Sequence, residues 1–88
     1  MHLDKDDLIE IHRRVTERFG GAYGILNEGT LDYAIDKAVG ANDFIREAAI
    51  LLATIAREHP FMDGNERTAF ASAEATPKAQ WVPPGRRR

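Results

Sequence analysis

Residues 44–58 constrain this chain more than any other segment. Phe44, Ile45, Ala48, Ala49, Leu51, Leu52, Ile55 and Ala56 recur at helical spacing and cover most of a helix's circumference. A helix that is apolar nearly all round has to be enclosed, so the rest of the chain is expected to pack on it. Asp43 supplies an N-cap, and Pro60 disfavours helical geometry at His59, which bounds the element at both ends. The chain has 88 residues, enough for one domain that buries about 60% of the surface its unfolded form exposes. The expected fold is all-α, a small bundle of about four helices with this one central and buried.

The remaining helices read from the same periodicity. Asp4 to Phe19 carries Leu8, Ile11, Val15 and Phe19 on one face. Asp4, Asp6 and Asp7 suit its positive end, Arg13, Arg14 and Arg18 its other end, and Gly20-Gly21 stops it. His12 lies beside the apolar stripe and is read as a flanking residue without a role. The glycine-rich connection that follows lacks the Gly-x-x-x-x-Gly-Lys spacing of a phosphate loop, so it is a plain loop, with Ile25 and Leu26 tucked onto the core. Asn27 or Thr30 caps a second helix to about Val39, with Leu31, Ala34, Ile35 and Ala38 inward. A fourth runs from Asn65 to about Ala75, with Ala69, Phe70 and Ala73 inward and Pro77 limiting it. Residues 1–76 are thus the domain, and 77–88, with Trp81 and three terminal arginines, an extended or disordered tail.

Composition removes several function classes. The chain has no cysteine, hence no disulfide and no thiolate metal site, which fits a reducing compartment. A net charge of −2 and no basic recognition helix argue against direct nucleic-acid binding. The longest apolar stretch, Ala48 to Ala56, is about half of what crosses a bilayer, and the acidic N-terminus has no apolar signal core. A soluble, cytoplasmic protein is expected, with no membrane partner.

Chemistry concentrates in His59-Pro60-Phe61-Met62-Asp63-Gly64-Asn65-Glu66-Arg67. Neutral imidazole at His59 can accept a proton from an alcohol. Asp63 is a hard oxygen ligand of the kind Mg²⁺ takes singly, leaving other positions to water and phosphate. Gly64 permits a sharp turn, and Asn65, Glu66 and Arg67 open a helix whose first N–H groups lack internal partners and bind anions. Arg67 can grip phosphate oxygens through parallel hydrogen bonds. Phe61 alternates with these polar positions and is expected in the core, anchoring the loop. The competing reading is a capped interhelical loop with a solvated Asp63–Arg67 salt bridge. A metal-dependent hydrolase is disfavoured, because His59 and Asp63 lack further ligands at suitable spacing.

This stretch resembles the signature of the Fic/Doc family, His-x-Phe-x-(Asp/Glu)-(Gly/Ala)-Asn-x-Arg. Gly24-Ile25-Leu26-Asn27-Glu28-Gly29-Thr30-Leu31 and Thr68-Ala69 are similar to the death-on-curing (Doc) branch. The resemblance implies an all-helical fold and transfer of part of a nucleotide to a protein hydroxyl. In most members the group is AMP; in the Doc branch it is the terminal phosphate of ATP, passed to a translation elongation factor. It implies ATP and Mg²⁺ as cofactors, His59 as base and Asp63 as metal ligand. Gly64, Asn65, Glu66 and Arg67 form the phosphate- and nucleotide-binding segment, Gly64 and Asn65 shaping an anion hole.

Departures from the pattern sharpen the expectation. Glu66 and Phe70 stand where AMP-transferring members carry Gly and a second Arg, which argues against AMP transfer. Doc members usually carry Lys at the Glu66 position, so a charge is reversed beside the phosphates; Glu66 is expected to point outward. The resemblance covers about residues 4–76, short of the family's further helices. Apolar faces left uncovered would favour a homo-oligomer. Thr54 to Glu58 begins like the family's inhibitory Ser/Thr-x-x-x-Glu segment, but it belongs to the buried helix, so a separate antitoxin is implied. The expected function is a Doc-like toxin of a toxin–antitoxin system. The alternative is an inactive Fic-like module for binding or self-assembly.

Overall fold

A computed structural model describes residues 2–80 of the chain, and the side chains of 2–76. Within them the order is α1 (Lys5–Phe19), α2 (Glu28–Val39), α3 (Phe44–Glu58) and α4 (Asn65–Gln80). Short polar side chains set three of the starts. Asp4 accepts the Asp7 N–H at 2.9 Å while the Asp7 carboxylate accepts the Asp4 N–H, a reciprocal capping box. Asn27, rather than Thr30, caps α2 by accepting the Thr30 N–H at 3.1 Å. Asp43 caps α3 through the Arg46 N–H at 2.7 Å.

The fold is the expected all-α bundle with α3 central. α2 packs on one side of α3 and α4 on the other, the latter interface being the largest, and α1 crosses both α4 and α2. Leu8, Leu31, Ala34, Ala38, Leu51, Ile55, Phe61 and Ala69 make a core in which each side chain is nearly or wholly shielded. The circumference of α3 is not closed, however. Ile45 is 70% exposed and Ala49 also faces out, where the sequence predicts enclosure. Glu47, a carboxylate within the apolar run, is buried with its Oε1 2.8 Å from His2 Nδ1.

α4 differs from its sequence reading in face and length. Its inward residues are Thr68, Ala69, Ser72 and Thr76, all fully shielded, whereas Phe70 is 65% exposed. Apolar periodicity misplaces the face because the buried side chains are small hydroxyls, which let α4 lie close along α3. Thr76 Oγ1 meets its need locally by donating to the Ser72 carbonyl at 2.9 Å. The helix also runs past Pro77 to Gln80. A proline near a helix end removes one rung of the backbone ladder without ending the helix there. Trp81 and the terminal arginines, in the predicted extended tail, lie outside the described residues.

The connection between α1 and α2 is likewise held differently from expectation. Ile25 and Leu26 are exposed rather than tucked in. The segment is fastened by its backbone: the Leu26 and Asn27 N–H groups donate to the Pro60 carbonyl at 2.8 and 3.1 Å, and the Met62 N–H donates to the Gly24 carbonyl at 3.0 Å. Ile25 and Phe61 thus form an isolated antiparallel bridge.

Candidate functional site

α3 ends at His59, the αL cap of the helix, with φ 51° and ψ 62°. Among the described residues it is the one non-glycine with positive φ. That conformation costs an L-residue roughly 1–2 kcal/mol, and glycine usually fills the position. A histidine held there is a strained residue kept in place by its surroundings. Pro60 and Phe61 follow, both fully buried. The Asn65 carboxamide then reaches back to the Phe61 backbone, accepting its N–H and donating to its carbonyl, both at 2.9 Å. Gly64, at φ 70°, makes the turn into α4, and its carbonyl accepts the Thr68 N–H at 2.9 Å.

From α1, His12 reaches the same loop. It is 1% exposed, its ring lies parallel to that of Phe61 at 3.9 Å, and its Nε2 donates to the Asp63 carbonyl at 2.9 Å. This was not legible as a role in the sequence. The available signal was position: His12 stands one turn beyond Leu8, inside the buried face rather than beside it. Gly21 was also missed. Its backbone, at φ 103°, faces Asp63 so closely that an added Cβ would lie 2.8 Å from Asp63 Oδ2.

With the loop backbone fixed by neighbours, the side chains of His59, Asp63 and Arg67 stay exposed on one cleft of about 540 Å³. Asp63 Oδ1 accepts the Gly64 N–H at 2.9 Å, which orients the carboxylate. The Arg67 guanidinium lies 4.3 Å over the Phe19 ring, a cation–π contact that draws Phe19 out of the core stripe to which periodicity assigned it. Among the described residues there is no Asp63–Arg67 ion pair, so the capped-loop reading lacks its salt bridge.

One expected role changes. Both polar atoms of the Asn65 side chain are engaged by Phe61, so what Asn65 can offer an anion is its backbone N–H. Glu66 is exposed, in keeping with an outward-pointing side chain, and is also among the residues that line the cleft. Thr54 is buried in α3, as the sequence predicts.

No group of three or more ligating side chains that could hold a metal occurs among the described residues. One oriented carboxylate is nevertheless enough for a Mg²⁺ that arrives with a polyphosphate and keeps waters and phosphate oxygens as its other ligands. Asp63 fits that case. Beside it, the first N–H groups of the 16-residue α4 have no partner within the helix, and its positive end faces the cleft. The arrangement can hold an anion, orient a metal ion bound to it and offer an imidazole to a hydroxyl. No helix among the described residues is long and apolar enough to cross a membrane.

The model of the Fic/DOC family matches residues 2–76. Over 79 residues the chain is 34% identical to Toxin Doc of Mycolicibacterium smegmatis, covering 82% of this chain and 58% of that protein. Over 78 residues it is 31% identical to Protein kinase doc of Escherichia phage P1, covering 82% of this chain and 62% of that protein. The chain therefore spans about three-fifths of the length of these relatives.

Proposed function

The chain belongs to the Fic/DOC family, and from that premise we propose that it is a Doc-type toxin passing phosphate from Mg-ATP to a hydroxyl of a target protein. The supporting observation is the cleft at the α3–α4 junction, where His59, Asp63 and Arg67 stand exposed on a loop fastened by α1, α4 and the α1–α2 connection. The target hydroxyl oxygen attacks the terminal phosphorus while its proton passes to the His59 ring. The bond from that phosphorus to the bridging oxygen breaks and ADP leaves. Arg67 and the first N–H groups of α4 bind the phosphates, and Asp63 would hold a Mg²⁺ arriving with them, which would supply positive charge against the phosphate oxygens. Phosphate transfer is preferred to AMP transfer, since Phe70 and Glu66 offer no second cation. The target class is a translation protein, and the setting a toxin–antitoxin pair in the cytoplasm, by resemblance to the Doc branch and by the relatives' names. A separate antitoxin restrains it. Self-association draws support from exposed Phe19, Ile45 and Phe70.

The test is incubation of the protein with a cell lysate and ATP labelled at the γ or the α phosphate. Transfer of the γ label alone, abolished in His59→Ala, is the expected result. Transfer of the α label alone would replace the kinase reading with AMP transfer. Transfer of neither label, with His59→Ala indistinguishable from wild type, would leave a binding or self-assembly module.

A further inference from the structure

We propose that His12 is a positioning residue for Asp63, setting the direction of its carboxylate from the far side of the core; the metal-binding part of this inference rests on the reading of Asp63 as a magnesium ligand. The two residues are 51 positions apart, and the contact between them is partly buried, with the His12 side at 1% exposure. The His12 ring stacks on two neighbours, Phe61 at 3.9 Å and 8° and Tyr23 at 5.4 Å and 26°. These stacks and its burial restrict the orientation of the ring. A carbonyl oxygen only accepts, so Nε2 carries the hydrogen that it gives to the Asp63 carbonyl at 2.9 Å.

The other ring nitrogen shows why the residue is a histidine. Nδ1 is buried without a hydrogen-bond partner among the described residues. A buried polar atom left unpaired destabilises the fold. If the position served packing alone, phenylalanine would stack equally well on Phe61 and carry no orphaned nitrogen. The donor at Nε2 is what the position gains from imidazole, and Asp63 is what receives it.

Asp63 is then confined from several directions. His12 holds its carbonyl, the Gly64 N–H holds Oδ1 at 2.9 Å, and the bare backbone of Gly21 leaves just enough room for Oδ2. The carboxylate therefore points where α1 and its C-terminal glycines allow, and the motif loop does not set that direction by itself. His12 acts one step behind the usual outer residue of a metal ligand, through the Asp63 main chain and not its carboxylate, so its loss is expected at the lower end of the range of about 10- to 100-fold seen when a ligand's supporting hydrogen bond is removed.

Two substitutions separate donor from ring. His12→Phe keeps both stacks and removes the donor; His12→Gln keeps a donor near Nε2 and removes the ring. Titration calorimetry with ATP, with and without Mg²⁺, gives the metal-dependent part of the affinity. Amide exchange at Gly64 and Thr68 reports the loop with no ligand present. His12→Phe is expected to fold with an unchanged or higher melting temperature and to lose about tenfold or more of the Mg²⁺-dependent affinity. Its ATP affinity without metal should stay the same, and Gly64 and Thr68 should exchange faster. His12→Gln should recover most of the Mg²⁺-dependent affinity. Unchanged exchange in His12→Phe overturns the proposal whatever the nucleotide does, as does unchanged Mg²⁺-dependent affinity in a protein that binds Mg-ATP. If wild type shows no Mg²⁺-dependent binding, the kinase reading fails, and faster exchange in His12→Phe still supports the positioning role.

Discussion

The turn into α3 and the turn out of it are both short links between helices, but their polar groups go to different places. Residues 40–43 satisfy themselves locally. The Gly40 N–H donates to the Asp36 carbonyl, the Ala41 N–H to the Ala38 carbonyl, and Asp43 caps the helix it precedes. Nothing from another element is needed, and no charged side chain is left to do chemistry. Residues 59–64 are held from outside: by His12 on α1, by Gly24, Leu26 and Asn27 of the α1–α2 connection, and by Asn65 on α4. Because neighbours supply most of the fastening, Asp63 gives the turn only one carboxylate oxygen, accepting the Gly64 N–H through Oδ1, and the His59 ring stays exposed beside it. The contrast shows what turns a helix junction into a site. Its backbone has to be over-determined by other elements so that its reactive groups can remain exposed and oriented.

The largest expected effect that would break this contrast is at Phe61. Replacing this fully buried ring with alanine should cost about 3–5 kcal/mol, measured by urea denaturation, and a cost near that of an exposed residue would show that the loop is not anchored. Next come the two polar anchors, one in each turn. Asn65→Ala leaves the buried Phe61 backbone without its partners and should cost about 1–3 kcal/mol. Asp43→Ala removes a cap and should cost only about 1 kcal/mol. Equal costs, or the reverse order, would erase the difference between the turns. Asp43→Ala should also leave Mg-ATP affinity untouched.

Gly21→Ala tests the crowding against Asp63. With φ at 103° and Asp63 Oδ2 only 2.8 Å from the new methyl, it should destabilise by about 1–3 kcal/mol. It should also abolish the Mg²⁺-dependence of ATP binding, although residue 21 lies outside the motif. His59→Gly sharpens the point in the opposite direction. Relief of the left-handed strain should raise stability by up to about 1 kcal/mol while phosphate transfer is lost. A less stable variant would mean that the imidazole itself supports the cap.

The smallest effect is expected on the outer face of α1. Hydrogen bonds from Arg13 and then Arg14 hold the Glu10 carboxyl down at about 2, from an ordinary value of 4.5. A depressed carboxyl stabilises the fold above its ordinary value, and that contribution fades as pH falls from about 4.5 toward 2. The group is exposed, so solvent screens the pair. Glu10→Gln should shift the acid unfolding midpoint slightly and leave nucleotide binding unchanged.

Much of this was readable in the residues because helix boundaries are set by local chemistry. Asp4, Asn27 and Asp43 cap the helices they precede, and Pro60 ends α3. All the cleft residues except Phe70 lie within nine consecutive positions, so no knowledge of the fold was needed to collect those. What escaped the sequence were relations between elements. His12 meets Asp63, and Gly21 makes room for it, only once α1 lies across α4. Phe19 and Phe70 look like core residues by period, yet one lies beneath the Arg67 guanidinium and the other faces solvent. Apart from Ala69, the buried face of α4 is made of hydroxyl-bearing residues, Thr68, Ser72 and Thr76, that a hydrophobic stripe cannot reveal.

The central claim is that the α3–α4 junction is a ready-made cradle for a metal-bound polyphosphate. Calorimetric titration of ATP into the protein, with and without Mg²⁺, tests it most directly against Asp63→Ala and Arg67→Ala. Binding should be tighter with Mg²⁺, Asp63→Ala should lose that metal-dependence, Arg67→Ala should lose affinity under both conditions, and both variants should melt as wild type does. Heats that are absent in the wild type, or identical across all three proteins, would contradict the claim.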